Sequence, residues 1–268
     1  METTTYQTPE ELRVDVRIPA GMVHVQTEDT TVATLEISGE RHPEDITISF
    51  EQAAHGHRLV VEQRKKPRFG LHFSRGIEVR LMVPERTELA VKGSSTDLVV
   101  DGVIASVDFS SASGGATLDS VSGDASAKVA SGDLSVNDVA GALTFHSASG
   151  GVRAARVDGK LVARTASGDV EVGVVNNKVN VTTVSGDVTV TNLICGNANL
   201  QAVSGDIEVG VASGSSVYLD LSSLSGATES TLPVSHSPTS SSAGDRTSEA
   251  ALKAATVSGD IKVHHSTS

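Results

Sequence analysis

Aromatic side chains are scarce in this chain: they make up 3% of the 268 residues, and tryptophan is absent. Bulky rings commonly dominate the interior of a compact domain. Without them, the interior has to be built from small and β-branched side chains, and the 25 glycines fit such a thin architecture. The composition therefore predicts repetitive β-structure.

The chain also lacks the marks of several functional classes. Its one cysteine, Cys195, cannot form an internal disulfide, and no run of about 18 apolar residues could cross a membrane as a helix. The N-terminus shows no basic segment followed by an apolar one, so the sequence predicts a cytoplasmic protein, with cell-surface association left open. A net charge of −12 disfavours binding to nucleic acid.

What the chain does contain is an internal repeat. Ser-Gly-Asp or Ser-Gly-Gly recurs every 18 residues, beginning at Ser113, Ser131, Ser149, Ser167 and Ser185. Further Ser-Gly pairs follow at steps of 19, 21 and 33 residues, at Ser204, Ser225 and Ser258. A subsidiary Ser-Gly-Asp at Ser122 lies 9 residues from its neighbours, so each unit is predicted to contain two strands and two turns.

Apolar residues occupy alternate positions within each unit, as a half-buried strand requires. One such unit cannot bury its apolar side alone, whereas stacked units bury a continuous core. We therefore predict an all-β fold, a parallel β-solenoid with about 18 residues per coil. After each motif, the predicted inward pairs are Leu134 and Val136, Val152 and Ala154, Val170 and Val172, Val188 and Val190, Ile207 and Val209, and Ile261 and Val263. In the other half of each coil they are Leu143 and Phe145, Leu161 and Ala163, Val179 and Val181, Leu200 and Ala202, Leu219 and Leu221, and Leu252 and Ala254.

Two parts of the chain depart from the repeat. Residues 1–92 show longer alternating runs and are predicted to form an N-terminal antiparallel β cap of sandwich-like character, followed by solenoid repeats over residues 93–268. A loop insertion is predicted at residues 227–251, where serine, proline and glycine accumulate. Such a loop is as consistent with plain flexibility as with recognition of a partner.

The repeat resembles a known family. The succession Ile77-Glu-Val-Arg-Leu-Met-Val-Pro, Leu89-Ala-Val-Lys-Gly-Ser and recurrent Ser-Gly-Asp is similar to the bacterial β-strand-repeat proteins called proposed adhesins, which form a domain of unknown function. The segment from Ser225 to Pro233 resembles a late passage of that family, with Ala227 in place of an aspartate. The resemblance implies the fold and implies little about activity. Some relatives lack export signals, and this chain resembles that group.

The corner aspartates are the first candidate site. Asp124, Asp133, Asp169, Asp187, Asp206 and Asp260 recur after the motif glycine, and 18-residue coils with calcium ladders are known. The calcium motif, however, is Gly-Gly-x-Gly-x-Asp, and two coils here carry Gly115 and Gly151 instead of aspartate. The default interpretation is turn chemistry: glycine permits positive φ, and the carboxylate accepts hydrogen bonds from local backbone amides.

The remaining candidates are weak. The pairs His55 with His57 and His264 with His265 lack further ligands at metal-like spacing, and the basic cluster Arg64–Arg68 has the composition of a solvated turn. Cys195 has no neighbouring base that would activate its thiol. A sugar-cleaving site needs converging carboxylates and usually aromatic platforms, for which the repeats offer only Phe109, Phe145 and Tyr218.

The sequence thus predicts no catalytic, cofactor-binding or metal-binding residue. It favours a non-enzymatic scaffold or protein-binding, adhesin-like module with an unidentified protein partner. The alternative is self-assembly or dimerisation through an open solenoid edge, since only five residues follow Val263, the last predicted inward residue. A carbohydrate-active enzyme is a distant third hypothesis.

Overall fold

The computed structural model describes residues 2–39, 45–53, 56–63, 76–213, 216–232 and 249–266, and strands make up most of this part of the chain. In chain order the strands are β1 (Glu2–Gln7), β2 (Leu12–Glu28), β3 (Val32–Ser38), β4 (Ile46–Gln52), β5 (His57–Gln63), β6 (Ile77–Pro84), β7 (Thr87–Ile104), β8 (Ser106–Ser113), β9 (Ala116–Val121), β10 (Ala125–Ser131), β11 (Leu134–Val139), β12 (Leu143–Ser149), β13 (Val152–Val157), β14 (Leu161–Ser167), β15 (Val170–Val175), β16 (Val179–Ser185), β17 (Val188–Leu193), β18 (Gly196–Gln201), β19 (Ile207–Val211), β20 (Ser216–Ser225), β21 (Thr228–Ser230), β22 (Glu249–Ser258) and β23 (Ile261–His265).

The predicted parallel β-solenoid is confirmed. Strands that end at the Ser-Gly corner pair with one another in parallel, and so do the strands that begin after it. We call the first set the front sheet (β8, β10, β12, β14, β16, β18, β20, β22 and the first half of β7) and the second the back sheet. From β8 to β17, paired residues are 18 positions apart in the sequence, as Leu134 and Val152 are, and Val152 and Val170.

The inward ladders form the core. The predicted pairs from Leu134 and Val136 through Ile261 and Val263 are all buried, as are Phe109 and Phe145, the two largest fully buried side chains. One ladder assignment was wrong in register. Val181 pairs with Leu200 and Val179 with Ala198, because the 19-residue step places the added residue in the turn before β18.

The corners permit close approach because they carry glycine. A Cβ atom on Gly132, Gly150 or Gly186 would lie 2.1–2.2 Å from the carbonyl oxygen of the glycine one coil below. Real Cβ atoms do not come that near a carbonyl oxygen, so no other residue fits without a shift of the backbone. The Ser-Gly motif is therefore a requirement of the stacking itself.

The antiparallel N-terminal part is also confirmed. β4 pairs antiparallel with β5, β3 with β6, and β1 with β3. These strands cover one end of the stack, where β5 and β6 form the outermost coil. β2 lies between that coil and β7, parallel to both, and residue 92 falls within β7, so the sheet continues across the predicted division at residue 92. The division into 1–92 and 93–268 stays a prediction.

The other end of the stack does not follow chain order. β22 and β23 insert between the coil of β18 and β19 and the coil of β20 and β21. The expectation that the coil ending at Val263 forms the open edge is thus wrong, since Val263 is buried and pairs on both sides, with Val209 and with Ser230. Among the described residues, the terminal coil is the one formed by residues 216–230. Of the predicted loop insertion, residues 233–248 lie outside the described part.

The inward side chains explain this order. The coil of β22 and β23 carries Leu252, Ala254, Ile261 and Val263 at its inward positions, and all of them are buried between two neighbours. At the positions that pair with Ile261 and Val263, β21 carries Thr228 and Ser230. Hydroxyl groups buried between two coils would cost free energy unless they were hydrogen-bonded, so this coil is better placed at the end.

Replacing Gly186 by alanine is expected to lower the free energy of unfolding by about 1–3 kcal/mol, because the added Cβ would lie 2.2 Å from the carbonyl oxygen of Gly168. Urea unfolding followed by circular dichroism measures the change. Ser185→Ala, at the neighbouring exposed position, is the control and should stay within about 0.5 kcal/mol of the parent protein. Equal midpoints for the two variants would contradict the close approach.

Candidate binding surface

The corner aspartates hold the coils together. Oδ1 of Asp133 accepts a hydrogen bond from the backbone N–H of Gly151 at 2.7 Å, and Oδ1 of Asp187 accepts one from Asp206 at 2.8 Å. The same contact links Asp169 to the N–H of Asp187. The sequence suggested that each carboxylate accepts a hydrogen bond from an amide of its own turn. In the structure the amide belongs to the next coil. Within the described residues, no group of three or more His, Cys, Asp or Glu side chains could hold a metal ion.

A depression of about 340 Å³ surrounds Gly151, where one coil lacks the corner aspartate. Arg153 lies in it and forms a two-pronged ion pair with Glu171, with N–O distances of 2.6 and 2.9 Å. This contact lowers the pKa of the Glu171 carboxyl, and a general acid would need the opposite shift. With Asp133 and Asp169 also bound to backbone amides, these carboxylates serve the structure.

The other residues considered from sequence do not converge. Nε2 of His264 lies 3.1 Å from Glu208, and the Cys195 thiol donates a hydrogen bond to the Asn176 carbonyl oxygen at 2.8 Å. Phe109 and Phe145 are buried, whereas Tyr218 is exposed. His55 and the cluster Arg64–Arg68 lie outside the described residues. No helix in the described ranges has the length and apolarity needed to span a membrane.

A continuous line of apolar side chains lies exposed on the front sheet. It consists of the residue that precedes each corner serine, and the pairing of those serines aligns it from coil to coil. We call it the apolar stripe: Ala112, Ala130, Ala148, Ala166, Val184, Val203, Val257 and Leu224. The side chains grow larger toward the end of the stack formed by residues 216–230, where Val184, Val203 and Val257 are 46–50% exposed and Leu224 is 83% exposed.

A line of basic side chains runs beside the stripe. Lys92, Lys128, His146 and Arg164, the basic row, point outward from β7, β10, β12 and β14, two residues before the stripe position on β10, β12 and β14. Lys128, His146 and Arg164 are direct neighbours across adjacent strands. Lys92, Lys128 and Arg164 form no ion pair with another described residue. The corresponding position on β8 is Ser110.

The basic row and the stripe share a shallow depression of about 460 Å³. It is lined by Lys128, His146, Arg164, Ala130 and the hydroxyl side chains of Ser147 and Thr165. Burial, and then the charges of Arg164 and Lys128, lower the pKa of His146. Lys128 and Arg164 thus disfavour a further positive charge on His146, and neither of them forms an ion pair with another described residue.

Sequence reasoning missed this surface, because the outward positions were interpreted only as a solvated face. A signal was available: every corner serine from Ser113 to Ser258 is preceded by alanine, valine or leucine, which a solvated corner does not require. The basic row gives a weaker signal. Its members follow the spacing of 18 residues only from Lys128 to Arg164, with Ser110 interrupting the series.

A nuclear magnetic resonance titration is expected to give His146 a pKa below its ordinary value of 6.5. Because the folded state disfavours the proton, stability should fall as the pH drops below about 6.5. The double variant Lys128→Gln and Arg164→Gln should move this pKa upward, toward the ordinary value, whereas Lys262→Gln, on the back sheet, should leave it unchanged. If the pKa of His146 is the same in the double variant as in the parent protein, the charges of Lys128 and Arg164 do not act on it as described.

The chain belongs to the Toastrack DUF4097 family, whose profile it matches over residues 10–264. The family is a bacterial domain of unknown function, so the resemblance noted from the sequence is confirmed, and membership assigns no partner. The curated proteins contain no match to this chain.

Solved structures give weaker similarities. A proposed adhesin from Bacteroides fragilis is 16% identical over 98% of this chain and 96% of its own, with a TM-score of 0.48. A proposed adhesin from Parabacteroides distasonis is 10% identical over the same shares, with a TM-score of 0.38. A proposed cell adhesion protein from Clostridium sporogenes is 10% identical over 98% of this chain and 99% of its own, with a TM-score of 0.26. Similarities at this level do not extend to function.

Proposed function

We propose that this protein is a non-enzymatic, adhesin-like β-solenoid module that binds a protein partner along its front sheet. The observation that supports the proposal is the apolar stripe. Scattered apolar side chains are normal on protein surfaces, but a continuous line of them is not and commonly marks an interaction site. Valines and a leucine on stacked, rigid strands lose little side-chain entropy when a partner covers them.

The stripe also has a direction. Its alanines allow close approach of a partner's backbone. Its larger members are exposed in the free protein and offer most of the apolar area that a partner would bury, which is the main source of binding free energy: Val184, Val203, Val257 and Leu224. Polar serines of the corner flank it on one side and the basic row on the other. An apolar centre with a polar rim is the usual arrangement of a protein interface.

Placing a photo-crosslinking amino acid at Val203 is expected to capture one discrete partner in the native cells, whereas the same group at Thr191, outward on the back sheet, should not. Binding of that purified partner should then weaken about tenfold or more in Val184→Ser with Val257→Ser, as measured by calorimetry. Thr189→Ser with Thr191→Ser is the matched control. Equal capture from both positions, or unchanged affinity in the stripe variant, would sink the proposal.

A second function, self-association, is favoured by the terminal coil. Among the described strands β20 pairs only with β22, and β21 only with β23, so their outer edges have no described neighbour. Val217, Leu219 and Leu221 pack against the core but are only partly buried. An uncovered strand edge beside apolar side chains is a template for pairing with a second copy. At the capped end, β1 and β4 also pair with only one described strand each. Pairing between the terminal coils of two copies uses the same surface on both, so it closes as a dimer.

Light scattering across a wide concentration range tests this second function. The expected result is a dimer that dissociates on dilution, without larger species. Tyr218→Lys with Ser222→Lys puts like charges on both copies of β20 and should yield a monomer. Thr117→Lys with Ser135→Lys adds the same charge on the back sheet and should still dimerise. A monomer at every concentration for the parent protein would exclude self-association.

A further inference from the structure

The front sheet is electrostatically unlike the rest of the molecule. The chain carries a net charge of −12, yet β10, β12, β14, β16 and β18 contain no acidic residue. On β10, β12 and β14 the outward neighbours of the row are Ser126, Thr144 and Val162 on one side and the alanines of the stripe on the other. The adjacent front-sheet strand, β8, contains one carboxylate, Asp108, which pairs with Ser126. The basic row is therefore the one place in these strands where an anion would be attracted.

The spacing of the row suits a ligand with several negative charges. Parallel strands lie about 4.8 Å apart, so Lys92, Lys128 and Arg164 recur about every 10 Å over a total of about 19 Å. His146 lies between the last two, where bound carboxylates would restore its proton affinity. A single small anion would contact only part of this line.

The neighbouring stripe decides which kind of polyanion fits. Single-stranded nucleic acid is held by bases stacked on aromatic rings, and the described front-sheet strands from β8 to β18 expose no Phe, Tyr or Trp side chain. An anionic polysaccharide would likewise find no such ring on which a sugar could stack. Instead, an apolar line runs about 7 Å from the cations, at the distance of two residues along a strand. A polypeptide that carries aliphatic and acidic side chains on adjacent sides would contact both lines at once.

We infer that the partner segment bound by the front sheet is an acidic amphipathic stretch of polypeptide. Its carboxylates form ion pairs with Lys128 and Arg164, and its aliphatic side chains pack against four residues of the stripe: Ala130, Ala148, Ala166 and Val184. The inference rests on the proposed binding function of the stripe and adds the chemistry of the partner. Contacts between its carboxylates and the basic row fix the orientation of the segment on the sheet, since the row lies on one side of the stripe only. They also make the association rate depend on salt.

Two synthetic peptides test the inference in solution with the full chain. One places leucine and glutamate on adjacent sides of a helix, and the other has every glutamate replaced by lysine. The glutamate peptide should bind, more weakly at high salt, and the lysine peptide should not, as measured by fluorescence anisotropy. Lys128→Glu with Arg164→Glu should weaken binding of the glutamate peptide about tenfold or more.

The matched control is Lys160→Glu with Lys262→Glu, which changes net charge equally at exposed positions outside the row. It should change the affinity less than twofold. Equal binding of the two peptides, binding of neither, or an equal effect of the two double variants would each overturn the inference.

The crosslink at Val203 separates this inference from the function on which it rests. Mass spectrometry of the captured partner identifies the segment in contact with the stripe. An acidic segment would support the inference. A neutral or basic segment would overturn it and leave the binding function standing, whereas no capture at Val203 would sink the binding function itself.

Discussion

Parallel stacking of coils at a separation of about 4.8 Å is the constraint on which the rest of this structure depends. At that distance the corner of one coil nearly touches the carbonyl oxygen of the next, so glycine is required where Gly132, Gly150 and Gly186 lie. The backbone amides of the corner also need acceptors. Corner aspartates such as Asp133 and Asp187 supply them across the coil boundary, and thereby tie neighbouring coils together outside the strand ladders.

The same stacking aligns equivalent residues of successive coils. A side chain repeated at one position of successive coils becomes a continuous row on the surface, as the alanines and valines before each corner serine become the apolar stripe. Charged residues are brought together in the same way: Lys128, His146 and Arg164 are far apart in sequence but adjacent in space. Burial, and then the charges of Arg164 and Lys128, lower the pKa of His146. The surface of such a fold is therefore made of columns of residues, to which each coil contributes one member.

The two ends of the stack differ physically. Antiparallel strands cover the outermost N-terminal coil, whereas the coil of residues 216–230 has no described strand beyond it and leaves Leu219 and Leu221 partly uncovered. Insertion of β22 and β23 beneath that coil places a well-packed apolar layer inside and the polar Thr228 and Ser230 outside. The larger stripe residues lie near this end too, so both candidate interactions draw on the same region.

The sequence by itself determined the coil, its period and the inward face, because the alternation and the Ser-Gly corner recur in every unit, although it is the stacking of neighbouring coils that requires them. Only the ladder positions of Leu200 and Ala202 were misplaced. It also showed the antiparallel cap. It could not determine the order of the coils, since Val263 ends the chain in sequence but lies between β19 and β21 in space. It could not reveal the basic row, since nothing local links Lys92 to Arg164. Strand pairing between distant segments decided both, through hydrogen bonds whose partners no single unit specifies.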